Sequence, residues 1–179
     1  MRYLVIFYTR ILGIMGHHIN AIIGRAPINE EQAKTYGLAL VYEAGYVIVI
    51  LDWDSVFYWS TKLNLSCDST IEDLDWDCEL IHYFASQLNF TDYVLIKTDY
   101  FAGNGEQYAS LYKNGFCCWH GHSINIALAG IGVKRNMEMD EFDALNLGEY
   151  RDSEYYYWDG EHNLALKREN MIAGKIFKD

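Results

Sequence analysis

The sequence predicts an α+β fold: a single domain with a mixed or antiparallel sheet, about three helices and a β-hairpin near residues 107–119. Three observations support this prediction. The 179 residues suit one globular domain, 1–179, and they contain one proline and no linker-like stretch. Apolar β-branched runs indicate strands, and an apolar stripe at helical spacing indicates a helix. An Asn-Gly pair between two strand-like segments indicates the hairpin.

Strands are predicted at residues 3–9, 46–53 and 92–101. The first is apolar on both faces, which is typical of a central strand, and residues 46–53 (YVIVILDW) give the strongest strand signal in the chain. Residues 13–24 contain three glycines and are predicted to form an irregular loop. Residues 55–60 fit either a strand or the start of a helix, because periodicity does not separate the two in a short segment.

The first helix is predicted between Pro27 and Gly37. Asn29 can cap it, and two glutamates follow where the helix dipole favours negative charge. A second helix is predicted over residues 74–88, because apolar side chains spaced four and three apart form one stripe. The stripe consists of Leu74, Cys78, Ile81, Ala85 and Leu88.

The second half of the chain carries the hairpin. Residues 107–112 and 116–119 are predicted strands, and Asn114-Gly115 supplies the positive φ angles of a tight turn. A third helix is predicted over residues 124–133, and residues 141–147 are predicted to be short and helical. No structure is predicted for the last thirty residues.

Charge limits the classes of partner. The chain has 14 Lys+Arg and 25 Asp+Glu, a net charge of −11, and a pI near 4.9. Nucleic acid and anionic membranes bind basic surfaces, so neither is an expected partner. No apolar run is long enough for a membrane span or a secretory signal, so a soluble cytoplasmic protein is expected.

The four cysteines are Cys67, Cys78, Cys117 and Cys118. They lack the spacing of a small secreted disulfide framework, so reduced thiols are expected. A Cys67–Cys78 disulfide stays open as an alternative for a periplasmic protein.

Residues 117–122 form a Cys-Cys-Trp-His-Gly-His segment that could bind zinc. Cys118, His120 and His122 would share one side of an extended strand, and His17 or His18 could join them. The spacing matches neither C-x₂-C nor H-x₃-H, so no metal or other cofactor is predicted. A small metal- or thiol-dependent enzyme that uses this segment is the alternative to the leading hypothesis below.

Two further motifs yield no catalytic residue. The glycine-containing loop at residues 101–107 lacks the Lys-Ser/Thr and the following helix of a phosphate loop, so a sharp connection is predicted, with Gly103 and Gly105 in conformations closed to other residues. Asp52 and Asp54 follow a strand at a spacing that suits paired carboxylates. Most acidic side chains are expected on a solvated face.

Aromatic residues are abundant in this acidic chain, with 5 Trp, 15 Tyr and 8 Phe. Three clusters place them among carboxylates. The first is residues 52–54, the second is residues 75–77, and in the third residues 155–158 lie between Glu154 and Asp159. Tyr and Trp are enriched at binding hot spots, and carboxylates around them would attract a basic partner. The candidate partner-binding residues are Asp52, Trp53, Asp54, Asp75, Trp76, Asp77, Tyr155, Tyr156, Tyr157 and Trp158.

Two segments support a resemblance to known proteins. Residues 96–107 (IKTDYFAGNGEQ) and 140–148 (DEFDALNLG) resemble an uncharacterised family of small bacterial proteins with a TDYF-x-G-x-G-x-Q … DEFDAL-x-LG pattern. Proteins of this kind are similar to immunity proteins of bacterial toxin systems, which are small, acidic, single-domain and cytoplasmic. The resemblance implies no particular site residue.

The leading hypothesis is a non-enzymatic binding protein, an immunity-type inhibitor of a basic toxin domain. Its carboxylates would lie where the toxin binds substrate phosphates, and charge reversal at Asp75 and Asp77 is expected to slow association. A second alternative is a structural module that self-associates through its aromatic residues.

Overall fold

A computed structural model describes residues 17–69, 75–101 and 104–150, which contain a six-stranded antiparallel sheet. Its strands are β1 (His17–Arg25), β2 (Ala39–Glu43), β3 (Tyr46–Ile50), β4 (Asp92–Phe101), β5 (Asn104–Lys113) and β6 (Phe116–Gly121). The order across the sheet is β2-β3-β1-β4-β5-β6, so β2 and β6 are its edges. The predicted α+β class is confirmed. The predicted strand at residues 3–9 and the last thirty residues, except Tyr150, lie outside the described residues.

The described residues form more helices than the sequence predicts. They are α1 (Glu30–Tyr36), α2 (Trp53–Leu63), α3 (Glu79–Gln87), α4 (Ile124–Gly130) and α5 (Glu141–Ala144), followed by a 3₁₀ turn at Leu147–Glu149. Helices α1 to α3 pack on one face of the sheet, and Phe84 of α3 is fully buried in that core. Helices α4 and α5 pack on the other face, against a separate core. This two-sided covering explains the continuous apolar runs of the central strands.

Local signals set several boundaries correctly. The Asn29 side chain accepts a hydrogen bond from the backbone N–H of Gln32, and Gly37 ends α1 with a φ of 63°. The turn after β5 has positive φ at both Asn114 (50°) and Gly115 (80°), as the Asn-Gly pair predicts. The third predicted helix is also present, as α4.

The structure of segment 46–63 decides whether residues 55–60 form a strand or a helix. The strand ends at Ile50, three residues before the predicted end, because Asp52 caps α2. Its carboxylate accepts a hydrogen bond from the backbone N–H of Ser55 at 2.9 Å. Residues 55–60 are therefore helical. Helix α3 begins at Glu79 rather than near residue 74, and the stripe residues that the structure describes, from Cys78 onward, are buried.

The loop predicted for residues 13–24 is wrong over its described part, which is strand β1. Ile19, Ile22 and Ile23 are fully buried, and β1 pairs with both β3 and β4 at the centre of the sheet. Gly24 is a packing glycine rather than a strand breaker, because a Cβ there would lie 2.3 Å from the Phe90 ring.

Candidate partner-binding surface

The first acidic–aromatic cluster lies at the start of α2. Asp52 is buried as the helix cap, whereas Trp53 is 51% exposed and Asp54 is also exposed. Phe57 lies one turn further along the same helix and is 73% exposed. Its exposure was not inferred from the sequence, although its position four residues after Trp53 would have indicated it once α2 was assigned.

The second cluster crosses the sheet face just before α3. The Asp75 carboxylate accepts a hydrogen bond from the Lys97 ammonium of β4 at 2.7 Å, and its side chain is about half exposed. Trp76 and Asp77 are buried, with exposed fractions of 1% and 0%. The expectation that these two side chains lie at the surface is therefore wrong.

The two clusters meet through their indole rings. The ring centroids of Trp53 and Trp76 are 4.3 Å apart, with an angle of 33° between the ring planes. Trp76 thus supports the exposed Trp53 from beneath, and Asp54 and Asp75 are the chain neighbours of the two stacked rings. Together, Trp53, Asp54, Phe57 and Asp75 form what we term the aromatic–acidic surface.

A groove of about 340 Å³ begins at Lys97, the partner of Asp75. Asp99 on β4 and Glu106 on β5 lie directly opposite each other in register, so their carboxylates share one face of the sheet. Tyr108 lines the same groove. The aromatic–acidic surface therefore continues through the Asp75–Lys97 ion pair into a groove with two further carboxylates.

Residues 104–106 of the glycine-containing segment line this groove. Strand β5 begins within this segment, at Asn104 rather than at Gln107, so the connection after β4 is shorter than predicted, and residues 102–103 lie outside the described residues. Gly105 does not use a backbone conformation closed to other residues, so that part of the prediction is wrong. It is required instead for close strand approach, since a Cβ there would lie 2.1 Å from the Asp99 carbonyl oxygen.

Asp77 is the centre of a buried polar network beneath the aromatic–acidic surface. Its carboxylate accepts hydrogen bonds from Ser110 Oγ at 2.7 Å, from Tyr112 OH at 2.8 Å and from His82 Nε2 at 3.0 Å. The other ring nitrogen of His82 bonds Tyr93 OH at 2.8 Å. Sequence reasoning missed His82, Ser110 and Tyr112, because these contacts link residues that are distant along the chain.

The network keeps Asp77 ionised. Burial by itself raises the pKa of this carboxyl, but the hydrogen bonds from His82, Ser110 and Tyr112 outweigh it, so the pKa lies below its usual range. Burial, the hydrogen bond to Asp77 and its negative charge raise the pKa of Tyr112. Asp77 therefore anchors the segment that carries Asp75 and Trp76 to the sheet.

The Cys-His segment does not form the zinc group considered from the sequence. A register shift between Leu111 and Tyr112 places Cys117, not Cys118, opposite Tyr112. The alternation that would align Cys118 with His120 and His122 is therefore interrupted. Within residues 17–69, 75–101 and 104–150, no group of three or more His, Cys, Asp and Glu side chains is arranged to hold a metal ion.

The two additional candidates for zinc ligands lie on a strand that does not adjoin β6. His17 and His18 lie on β1, and β4 and β5 separate that strand from β6.

Burial and the negative charge of Asp77 raise the pKa of the Cys117 thiol. A hydrogen bond with Tyr112 partly offsets this increase, and the thiol is not activated. All four cysteines are free thiols.

The third cluster, Tyr155, Tyr156, Tyr157 and Trp158, lies outside the described residues. Among the described helices, none combines the length and the apolar character that a membrane crossing requires.

Comparisons with protein-family models, with curated proteins and with solved structures gave no match.

Proposed function

We propose that this chain is a non-enzymatic binding protein for a basic protein partner, and specifically an immunity-type inhibitor of a basic toxin domain. The stacking of exposed Trp53 on buried Trp76 carries this proposal. It joins two clusters that are separate in the sequence into one surface, where aromatic and acidic side chains adjoin.

Trp53 and Phe57 are the proposed anchors. Exposed aromatic side chains bury a large area with little loss of rotamer entropy, which is why they dominate many interfaces. The ring contact with Trp76 restricts Trp53 before any partner arrives, so less entropy is lost on binding.

The carboxylates are the proposed steering groups. The net charge of −11 attracts basic proteins over a long range. At the surface itself, Asp54 and Asp75 adjoin the anchors, and Asp99 and Glu106 line the groove. A Lys or Arg side chain of the partner could enter this groove and contact both carboxylates and the Tyr108 ring. In an inhibitor, these carboxylates would replace the substrate phosphates of the toxin.

The test is capture of the native partner at low salt, followed by binding kinetics with the purified pair. A Trp53→Ser/Phe57→Ser variant should dissociate about tenfold or more faster, because it lacks both anchors. An Asp54→Lys/Asp75→Lys variant should associate about tenfold or more slowly and depend less on salt. Asp77 is unsuitable for this reversal because it is buried.

Phe116→Ser is the matched control, since it also removes an exposed aromatic ring but lies on β6. It should bind like the wild type. Wild-type kinetics in both surface variants would refute the proposed surface. Loss of the partner's toxic activity on adding this protein would support inhibition, whereas unchanged toxicity of a bound partner would reject the inhibitor role but retain the binding role.

A further inference from the structure

The groove beside the aromatic–acidic surface contains two neighbouring carboxylates. Asp99 and Glu106 are exposed and lie opposite each other on β4 and β5. Neither carboxylate has a hydrogen bond or an ion pair in the part of the chain that the structure describes. The Lys97 ammonium in the same groove is bound to Asp75 at 2.7 Å. Like charges directly opposite each other in a sheet are destabilising, so a cation between Asp99 and Glu106 would relieve the repulsion.

A buried amide gives an independent indication of a ligand. Asn20 on β1 is 1% exposed, and its Oδ1 has no hydrogen-bond partner among the described residues. Its Nδ2 is bonded to His18 Nε2 at 3.0 Å. Buried acceptors are almost always paired, and an unpaired one is destabilising until a donor reaches it. The Asn20 oxygen therefore requires an N–H or O–H donor.

The strand register places this amide beside the groove. Two rows of side chains cross β1, β4 and β5 on one face of the sheet, because residues two apart on a strand share a face. The inner row consists of Asn20, Lys97 and Tyr108, and the outer row consists of His18, Asp99 and Glu106. Lys97, Tyr108 and the two carboxylates line the groove. Asn20 therefore lies at the β1 end of the inner row, next to Lys97.

The spacing of these rows favours a guanidinium over an ammonium. The rows are about 6.8 Å apart, since a strand rises roughly 3.4 Å per residue. Two hydrogen bonds of about 2.9 Å from a single nitrogen span less than about 6 Å, which is too short to bridge the rows. A guanidinium instead spreads its N–H donors over a planar fork and stacks on aromatic rings such as that of Tyr108.

We propose that this groove binds an arginine side chain of the basic partner, with the guanidinium between Asp99 and Glu106 and one N–H donated to Asn20 Oδ1. This inference rests on the proposed function, because it names the partner side chain that enters the groove. The Asp75–Lys97 ion pair keeps the Lys97 ammonium away from the two carboxylates, so they are available to the arginine.

The test is NMR titration of the full-length chain at low salt with two probes, Nα-acetyl-arginine amide and Nα-acetyl-lysine amide. The arginine probe should bind about fivefold or more tightly than the lysine probe and shift the resonances of β4 and β5. Glu106→Gln should weaken arginine binding about fivefold or more, because it removes one of the paired carboxylates. Glu138→Gln is the matched control, since it removes the same charge at an exposed position after α4. It should bind like the wild type.

Asn20→Leu tests the buried acceptor. Leu has a shape similar to that of Asn and no polar atom, and an apolar replacement of a buried polar group is tolerated when its shape is kept. The variant should weaken binding of the arginine probe and leave the lysine probe unchanged, so the preference for arginine should shrink. Far-UV circular dichroism checks that the variant folds, and Asn20→Val replaces it if it does not.

Binding of neither probe, equal binding of both, wild-type affinity in Glu106→Gln or an unchanged preference in the Asn20 variant would overturn the arginine inference. These titrations contain no partner protein, so such results would leave the proposed surface at Trp53 and Phe57 intact. Conversely, arginine binding in the groove together with wild-type partner kinetics in Trp53→Ser/Phe57→Ser would reject that surface and retain the groove as an arginine site.

Discussion

The tripeptide Asp-Trp-Asp occurs twice, at residues 52–54 and 75–77, with opposite outcomes. In the first copy the tryptophan is half exposed and the leading aspartate is buried. In the second the tryptophan and the trailing aspartate are buried, and the leading aspartate is exposed. The comparison shows that local sequence does not decide which side chain is exposed to solvent.

The surroundings of each copy explain the difference. Asp52 is separated from the end of β3 by one residue and caps α2, which directs Trp53 to the outer side of the first helical turn. The second copy crosses the sheet, where Ser110 and Tyr112 provide donors for Asp77. A buried carboxylate is stable only with such partners, so the position of those donors determines the orientation of the whole segment.

The largest expected change in the free energy of unfolding distinguishes Trp76 from Trp53. Trp76→Ala should lower the free energy of unfolding by about 3–5 kcal/mol, because it leaves a cavity in the core. Trp53→Ala should lower it by less than about 1 kcal/mol, because the ring is half in solvent. Urea unfolding followed by far-UV circular dichroism measures both. Equal losses would mean that Trp76 is not the buried member of the pair.

The next effect separates the aspartates of the second copy. Asp77→Asn should cost about 1–3 kcal/mol, because the donors around it lose an ionised acceptor. Asp75→Asn is the matched control and should cost less than about 1 kcal/mol, since its ion pair with Lys97 is partly exposed. The same unfolding measurement applies. A greater loss for Asp75→Asn would contradict the buried network.

The pH dependence of the free energy of unfolding tests whether Asp77 is ionised in the folded protein. The folded-state pKa of Asp77 lies below its unfolded value, so its contribution to stability is present above the unfolded pKa and is lost as pH falls through the folded one. The stability difference between wild type and Asp77→Asn should therefore be full at neutral pH and shrink below about pH 4. A difference that stays constant on acidification would show that Asp77 is not ionised in the fold.

The smallest expected change in the free energy of unfolding distinguishes the two aspartates of the first tripeptide, Asp52 and Asp54. Asp52→Ala removes the cap of α2 and should cost about 1 kcal/mol. Asp54→Ala changes an exposed side chain and should alter the free energy of unfolding by about 0.5 kcal/mol or less. Asp52→Asn should restore most of the loss, because Asn also caps helices. A cost at Asp54 equal to that at Asp52 would contradict the assignment of the cap.

Part of the candidate surface could be predicted from the sequence. The acidic–aromatic composition identified Trp53, Asp54 and Asp75, which the structure places at or near one surface. It also selected Trp76 and Asp77, which are buried, because composition contains no information on depth. The groove residues Asp99 and Glu106 were not singled out as a pair, since only the register of β4 with β5 places them opposite each other.

Short-range interactions account for what the sequence determined: the α+β class, the cap at Asn29, the turn at Asn114-Gly115 and the negative charge. Each depends on neighbours within a few residues or on composition alone. The central strand β1, the depth of Trp76 and the anchoring of Asp77 were decided only by the tertiary structure. Each depends on groups that are distant in the chain, such as the Phe90 ring that excludes a Cβ at Gly24 and the Ser110 hydroxyl that binds Asp77.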